Sequence, residues 1–388
     1  MTCPRRSFPN PFRSPNRRRP PVFRRAASTV AYKGGNLSGV SLEPGEISHR
    51  SSGVRTMSCR RFVYLVMNDT KRRDYPLRCI DASRLFLPKR ENNEPMSPPP
   101  PLEDARLPRP VTRFIPANTD TSNGDMEFYL MPGGGRRRRP KVVASDHAGR
   151  CVMYDPALRT FMPASVAVGD DLYVIETYFT HTYSRDDCFD VLRYDEEEDD
   201  WECHPLPPPP ERVPAHITSY AVVRRGGGIR GGSSIWVSKD GLGTHSFDIA
   251  SGAWRKAGDW VLPFWGPGKY VPELKLWFGI LADKEDGVVC AADLTKPPLV
   301  APTMLWRDDP TPPEWEGKSS FLVHLGRSRF CLARFFRIIP PGSLPCIKFA
   351  VFTGIEVERC GGEGEEIHVT KHKSQRYALE NKLIHWVL

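Results

Sequence analysis

The sequence contains no apolar run approaching the roughly 18–20 residues that a membrane-spanning helix requires. It also lacks an N-terminal apolar stretch that could act as a secretory signal. Ten cysteines are present, but none form a CxxC pair, and their scattered spacing is not that of a zinc site. These absences predict a soluble intracellular protein, in the cytoplasm or nucleus, with reduced thiols and no metal or other cofactor.

Acidic residues are nearly missing from the first 56 positions, where 11 Lys and Arg residues are balanced only by Glu43 and Glu46. This segment therefore accounts for the whole net charge of +9, because the remaining 332 residues hold 44 basic and 44 acidic side chains. A neutral body argues against nucleic-acid binding by the folded part, since such proteins carry a basic footprint. The run from Arg136 to Arg139 could still form a local basic patch.

Residues 1–56 are rich in Arg, Pro, Ser and Gly. They cannot bury enough apolar surface to fold, so we expect this tail to be disordered. An Arg-rich, acid-poor segment is typical of an organelle transit peptide. The alternative is that translation begins at Met57 and the tail is not part of the protein. We expect residues 57–388 to form one domain, with a Pro-rich loop at 91–125.

Helical periodicity longer than about two turns is absent from residues 141–388. Short runs rich in Val, Ile and aromatic residues recur instead, such as KVVASD, DLYVIET, FDVLRYD and SIWVS. Each run is bounded by Gly, Pro, Asp or Asn, which is typical of β-strands separated by turns. The pattern predicts an all-β protein built as a sandwich, a barrel or a propeller.

One motif recurs three times: an aromatic residue, an aspartate, and a second aromatic six positions after the aspartate. The copies are Tyr154, Asp155 and Phe161; Tyr194, Asp195 and Trp201; and Phe247, Asp248 and Trp254. A degenerate fourth copy keeps Asp293 but replaces both aromatics. We predict that the aspartate starts a turn by accepting local hydrogen bonds, and that the second aromatic begins the next strand and packs between neighbouring sheets.

The aromatic–Asp–x5–Trp spacing resembles the kelch repeat, as does the diglycine Gly231-Gly232 before SSIWVS. Longer segments, including VASDHAGRCVMYD, GTHSFDIASGAWRKAGDWVLPF and SFLVHLGRSRFCLARFF, resemble a plant family, expanded in grasses, that is defined as a domain of unknown function. The resemblance covers about Arg60 to Leu388. It implies a diverged kelch-like β-propeller and gives no information about biochemical activity.

At roughly 40–50 residues per blade, this length predicts six or seven blades. Closing such a ring requires the strands near Phe62 and Tyr75 to pair with the strand near Trp386, because closure removes exposed strand edges.

No catalytic constellation, metal site or cofactor motif is recognisable in the sequence. The stretch RRGGGIRGG, for example, lacks the Lys-Ser/Thr of a phosphate-binding loop. We therefore expect a monomeric, non-catalytic scaffold that binds an unknown protein partner through one loop face of the propeller. The candidate contact loops are residues 177–188, 224–232 and 239–244. The candidate contact residues in them are Tyr178, His181, Tyr183, Arg185, Arg224, Arg225, Arg230 and Lys239. The alternative is an enzyme or glycan-binding propeller with an axial pocket lined by His, Asp or Glu.

Overall fold

The all-β architecture predicted from the sequence is confirmed by the computed structural model. The structure describes residues 60–69, 71–88, 100–114, 126–131, 141–146, 151–154, 163–168, 171–176, 189–195, 200–210, 216–224, 232–282, 287–295, 303–307, 311–340, 342, 346–360, 366–379 and 383–388. These residues form β-strands and one short 3₁₀ helix, Ala82–Leu85.

In chain order the strands are β1 (Phe62–Asn68), β2 (Tyr75–Asp81), β3 (Glu103–Ala105), β4 (Thr112–Phe114), β5 (Met126–Met131), β6 (Lys141–Asp146), β7 (Cys151–Tyr154), β8 (Pro163–Val168), β9 (Asp171–Glu176), β10 (Phe189–Asp195), β11 (Asp200–Pro205), β12 (Ile217–Arg224), β13 (Ser233–Lys239), β14 (Gly243–Asp248), β15 (Ala253–Gly258), β16 (Phe264–Val271), β17 (Leu276–Leu281), β18 (Val289–Ala292), β19 (Thr303–Trp306), β20 (Glu316–Gly326), β21 (Arg329–Ile338), β22 (Ile347–Cys360), β23 (Glu366–Ala378) and β24 (Leu383–Val387).

Consecutive strands pair antiparallel with their chain neighbours and form small meanders: β5–β7, β8–β11, β12–β15, β16–β19 and β20–β23. The meanders β12–β15 and β16–β19 are joined by a short parallel contact between their first strands, which matches Ser219 with Gly266 and Ala221 with Gly268. Strand β3 adds in parallel to the last strand of β20–β23. None of these sheets closes on itself within the described strands.

The two ends of the domain meet in one sheet of order β24-β1-β2-β4. Strand β24 pairs antiparallel with β1 and matches Val387 with Leu65 and Trp386 with Val66. The backbones of Tyr64 and Leu388 exchange two hydrogen bonds of 2.9 Å. The pairing that the sequence analysis expected between the N-terminal and C-terminal strands is therefore present.

Apolar clusters lie between sheets that are neighbours along the chain. Residues of β9 and β10 pack against β12–β14, around Phe189 and Phe247. Trp236 and Ala221 pack against β16–β18 around Phe264. Further clusters join β16–β18 to β20–β22, and β20–β23 to the terminal sheet. On the far side of the terminal sheet, Phe128 of β5 contacts the rings of Tyr75 at 5.8 Å and Phe114 at 5.4 Å.

Two glycines allow Phe264 to be fully buried at the start of β16. A Cβ at Gly268 or at Gly279 would lie 2.6 Å from the Phe264 ring, which is closer than real side chains approach. Gly268 also faces Ala221 of β12 across the parallel contact. These glycines therefore let the two meanders approach closely at their first strands.

Candidate functional site

The repeated motif is a β-hairpin whose two aromatics lie directly opposite each other. Phe247 pairs with Trp254 across β14 and β15, and Tyr194 pairs with Trp201 across β10 and β11. Residues directly opposite on antiparallel strands share a sheet face. The expectation that the second aromatic begins the next strand is confirmed in these two copies.

The aspartate of the motif organises the turn through its side chain. The Asp248 carboxylate accepts hydrogen bonds from the backbone N–H of Ser251 at 2.9 Å and from its hydroxyl at 3.0 Å. These bonds, with the nearby Arg255, hold the pKa of Asp248 below its usual value. Asp293 accepts from the backbone N–H and hydroxyl of Thr295 in the same way. The predicted role of the aspartate is confirmed at both positions.

A further copy of this turn, in which Ile80 and Leu87 replace both aromatics, was missed in the sequence. Asp81 accepts hydrogen bonds from the backbone N–H and the hydroxyl of Ser83 at the end of β2. The pattern Asp-x-Ser/Thr, shared with Asp293 and Thr295, is the signal that could have found it. Of the first predicted copy, Tyr154 ends β7, whereas Asp155 and Phe161 lie outside the described residues.

Trp254 connects two neighbouring sheets. Its ring contacts Phe247 of its own sheet at 5.2 Å and Phe189 of the β8–β11 sheet at 5.4 Å. Its Nε1–H donates a 2.7 Å hydrogen bond to the carbonyl of Pro207, which follows β11. The predicted packing of this aromatic between sheets is therefore confirmed at Trp254.

Two of the predicted contact loops adjoin opposite ends of β13. Arg224 is the exposed last residue of β12, and the connection that follows it leads into one end of β13. Lys239 ends β13 at the opposite end. At about 3.3 Å per residue the two connections lie roughly 20 Å apart. The expectation that residues 224–232 and 239–244 share a binding face is wrong, because antiparallel strands place successive turns at opposite ends.

Lys239 is also not an exposed contact residue, since only 1% of it is accessible. It lies within β13 rather than in a loop, and its burial removes it from the candidate set. Arg224 keeps its exposed position. The remaining candidates Tyr178, His181, Tyr183, Arg185, Arg225 and Arg230 lie outside the described residues.

Strand β16 carries a solvent-facing surface that sequence reasoning missed. Trp265 is 62% exposed, and Lys269 on the same face of the strand is exposed as well. Tyr270 is 39% exposed on the opposite face, where it pairs with Trp277. The Tyr270 ring contacts Trp277 at 4.5 Å, which holds it in place. The segment FWGPGKYV resembles any aromatic-rich strand, so only the tertiary structure distinguishes its buried Phe264 from its exposed Trp265.

Arg60 lies where three sheets approach each other. Its backbone N–H donates to the Leu325 carbonyl of β20 at 2.6 Å, and its guanidinium contacts the Leu388 oxygen beyond β24. Its positive charge also reaches Lys269 of β16. The pKa of Lys269 is lowered, first by burial and second by Arg60.

The described residues bring together no constellation suited to catalysis. They contain no group of three His, Cys, Asp or Glu side chains that could hold a metal ion. Burial raises the pKa of Cys290 and of Cys331 to about 12, so both thiols stay protonated and unreactive. The geometry offers the exposed side chains of Trp265 and Lys269 on one face of β16, with the charge of Arg60 acting on Lys269.

Two partly or fully buried histidines make stability depend on pH. His372 accepts the backbone N–H of Leu87 at its Nδ1 atom, and its Nε2 atom lies 3.3 Å from the Glu356 carboxylate, which also binds Arg329. His324 packs on the Phe330 ring at 4.9 Å, between the charges of Glu273 and Lys269. Desolvation is the main cause that lowers the pKa of both histidines below 6.5.

Acidification should therefore destabilise the domain. Because the unfolded state takes up these protons first, the free energy of unfolding should fall as pH drops below about 6.5 toward the lower folded-state values. Chemical denaturation at pH 7.5 and 5.5 measures the loss. The double variant His324→Gln/His372→Gln should show a smaller difference between the two pH values. The exposed His204→Gln is the matched control, and a difference unchanged in the double variant would contradict the assignment.

No helix among the described residues is long and apolar enough to cross a membrane. No curated protein matches the sequence. A family described as "Protein of unknown function (DUF1668)" matches residues 60–377, which include most of the strands described above. The chain therefore belongs to this family.

Proposed function

We propose that the protein is a kelch-like β-propeller of six blades that acts as a non-catalytic scaffold for a protein partner. Six sheet units follow one another along the chain: five meanders and the terminal sheet, in which β24 completes β1, β2 and β4. A blade completed by strands from both ends of the chain is a common way to lock a ring of sheets, because it leaves no free end to unravel.

The order in which the sheets pack supports a ring. Apolar contacts link β8–β11 to β12–β15, then to β16–β19, to β20–β23, to the terminal sheet and to β5. These are five of the six neighbour contacts that a six-bladed ring needs. The parallel contact of β12 with β16 also fits, because the first strands of successive blades run in the same direction around a central axis.

The exposed aromatic surface of β16 supports the binding role and is the observation that carries it. Tryptophan and tyrosine are enriched among residues that dominate binding energy at interfaces. Trp265 is 62% exposed on a first strand, where burial would be expected. Lys269 extends this surface on the same face of the strand, because Trp265 and Lys269 pair with Ile280 and Phe278 of β17. In the proposed ring these side chains lie near the axis.

Affinity purification from cells of the source organism tests this proposal. The full chain, Trp265→Ala and Lys269→Ala are compared with Ile339→Ala, a control that alters an apolar residue 57% exposed elsewhere. The wild type and the control should retain the same partner, and Trp265→Ala should lose at least about 1 kcal/mol of binding, a fivefold weaker affinity. A partner that binds all four proteins equally would contradict the β16 surface.

The exposed cation Lys269, whose pKa the charge of Arg60 helps to lower, favours one second candidate, an axial pocket for a small anion or an acidic glycan. Lys269 combines solvent exposure with a pKa lowered by burial and by Arg60. Thermal melts with inorganic phosphate and with acidic oligosaccharides test this alternative. A rise in melting temperature that disappears in Lys269→Ala supports it, and no rise at millimolar ligand contradicts it.

A further inference from the structure

The outer edge of strand β23 already binds an extended acidic segment of the same chain. Strand β3 runs parallel to β23 over three residue pairs: Glu103 with Gln375, Asp104 with Arg376, and Ala105 with Tyr377. It is separated from β23 by more than 260 positions in the sequence. This contact is the addition of a short strand to a sheet edge, the geometry by which many domains bind extended peptides.

The basic and polar side chains along the β23 edge favour a segment with acidic residues. The Arg376 guanidinium donates two hydrogen bonds to the Asp104 carboxylate, at 2.6 Å and 2.9 Å. The Glu103 carboxylate accepts from the Lys373 ammonium at 3.3 Å and from the Gln375 amide at 3.5 Å. The hydroxyl of Tyr377 donates to the other end of the Gln375 amide at 2.8 Å, which orients its N–H group toward Glu103.

At the third position of the segment, the β23 edge favours a small apolar residue. Tyr377 is 5% exposed and belongs to the core between β20–β23 and the terminal sheet. Ala105, its partner on β3, packs against that core and is half-buried. An extended segment with two acidic residues followed by a small apolar one therefore satisfies every contact that β3 makes.

The contacts of β3 with this edge are weak enough for another segment to displace it. Asp104 is 73% exposed and Glu103 is 42% exposed, so water and salt screen both ion pairs. Only three residues pair. On the C-terminal side, Leu107 packs against the core, the Arg78 guanidinium bonds to the Pro108 carbonyl, and β4 follows. The strand can thus leave β23 while its flanking anchor stays in place.

We propose that the β23 edge is a docking site for an extended acidic segment of a partner protein, and that β3 occupies it as an internal competitor. The partner segment adds as a parallel strand, carries two acidic residues followed by a small one, and takes the place of Glu103, Asp104 and Ala105. This site does not depend on the ring arrangement or on the β16 surface.

A labelled synthetic peptide of residues 100–108 tests the proposal by fluorescence anisotropy on the full chain. The variant Glu103→Gln/Asp104→Asn weakens the internal competitor, so the peptide should bind it roughly 3- to 10-fold more tightly than the wild type. Adding Arg376→Ala to that variant should reverse the gain. Adding Arg337→Ala is the matched control, because Arg337 of β21 makes a similar exposed pair with Glu316 of β20, away from the β23 edge, and it should leave binding unchanged.

Two outcomes would overturn the proposal. One is an absence of measurable binding to the weakened variant, confirmed as folded by its thermal melt. The other is equal binding of a control peptide in which Gln and Asn replace the two acidic residues. Trp265→Ala should bind the acidic peptide as the wild type does, so failure at this edge is distinguishable from failure of the β16 surface.

Discussion

Deletion of residues 382–388 should destabilise the whole domain, with an expected loss of about 3–6 kcal/mol in the free energy of unfolding. The deletion removes β24, the outer strand of the terminal sheet, and exposes the β1 edge. It removes Val387, which is 7% exposed in the core, worth about 2 kcal/mol on burial. It also removes the backbone hydrogen bonds to β1, each worth about 0.5–1.5 kcal/mol net.

A pair of point variants separates strand pairing from loss of side chains. Leu388→Pro removes the N–H that donates to the Tyr64 carbonyl at 2.9 Å, whereas Leu388→Ala keeps it. Chemical denaturation should show a lower free energy of unfolding for the proline variant than for the alanine variant. A deletion that leaves the unfolding transition unchanged would mean that β24 does not stabilise the domain, and it would argue for an open array of sheets.

Replacement of Trp254 by alanine should cost about 2–4 kcal/mol. The indole bridges two sheets through Phe189 and Phe247 and through its hydrogen bond to Pro207. Large aromatic residues in full burial cost about 3–5 kcal/mol on truncation to alanine. Trp254 is half-buried, so the expected value is somewhat lower. Trp254→Phe keeps most of the packing and should cost about 1 kcal/mol for the lost hydrogen bond.

Trp265 provides the matched control, because it is the same residue type in a 62% exposed position. Trp265→Ala should change the free energy of unfolding by less than about 1 kcal/mol, since little of its surface leaves water on folding. Thermal and denaturant unfolding of both variants give the comparison. Equal destabilisation by the two substitutions would contradict the role of Trp254 as the contact between sheets.

Local patterns predicted the strands and the turn chemistry correctly. The sequence indicated an all-β chain because alternating apolar residues and turn residues act over a few positions. The hairpin of Phe247, Asp248 and Trp254 followed from the same short range, because the aspartate binds atoms within three residues of itself. Asp81 was missed although, like Asp293, it keeps the Asp-x-Ser/Thr pattern without either aromatic.

Contacts between distant parts of the chain could be predicted from the sequence only where the chain topology required them. The pairing of β1 with β24 could be expected because the propeller predicted from the sequence has to join its two ends. The distribution of loops between the two ends of the sheets was misjudged, since residues 224–232 and 239–244 lie at opposite ends of β13. Turn composition indicates where a chain reverses and carries no information about which end of a sheet the turn occupies.

The sequence alone determined the β-strand content, the hairpin motif and the neutral charge of residues 57–388, because each depends on composition or on neighbours within about ten positions. Only the tertiary structure decided that Lys239 is buried, that Trp265 and Lys269 are exposed, and that the acidic strand β3 occupies the edge of β23. The exposure of a residue and the position of β3 depend on which distant segment packs against them. The alternation of side chains along a strand does not specify that segment.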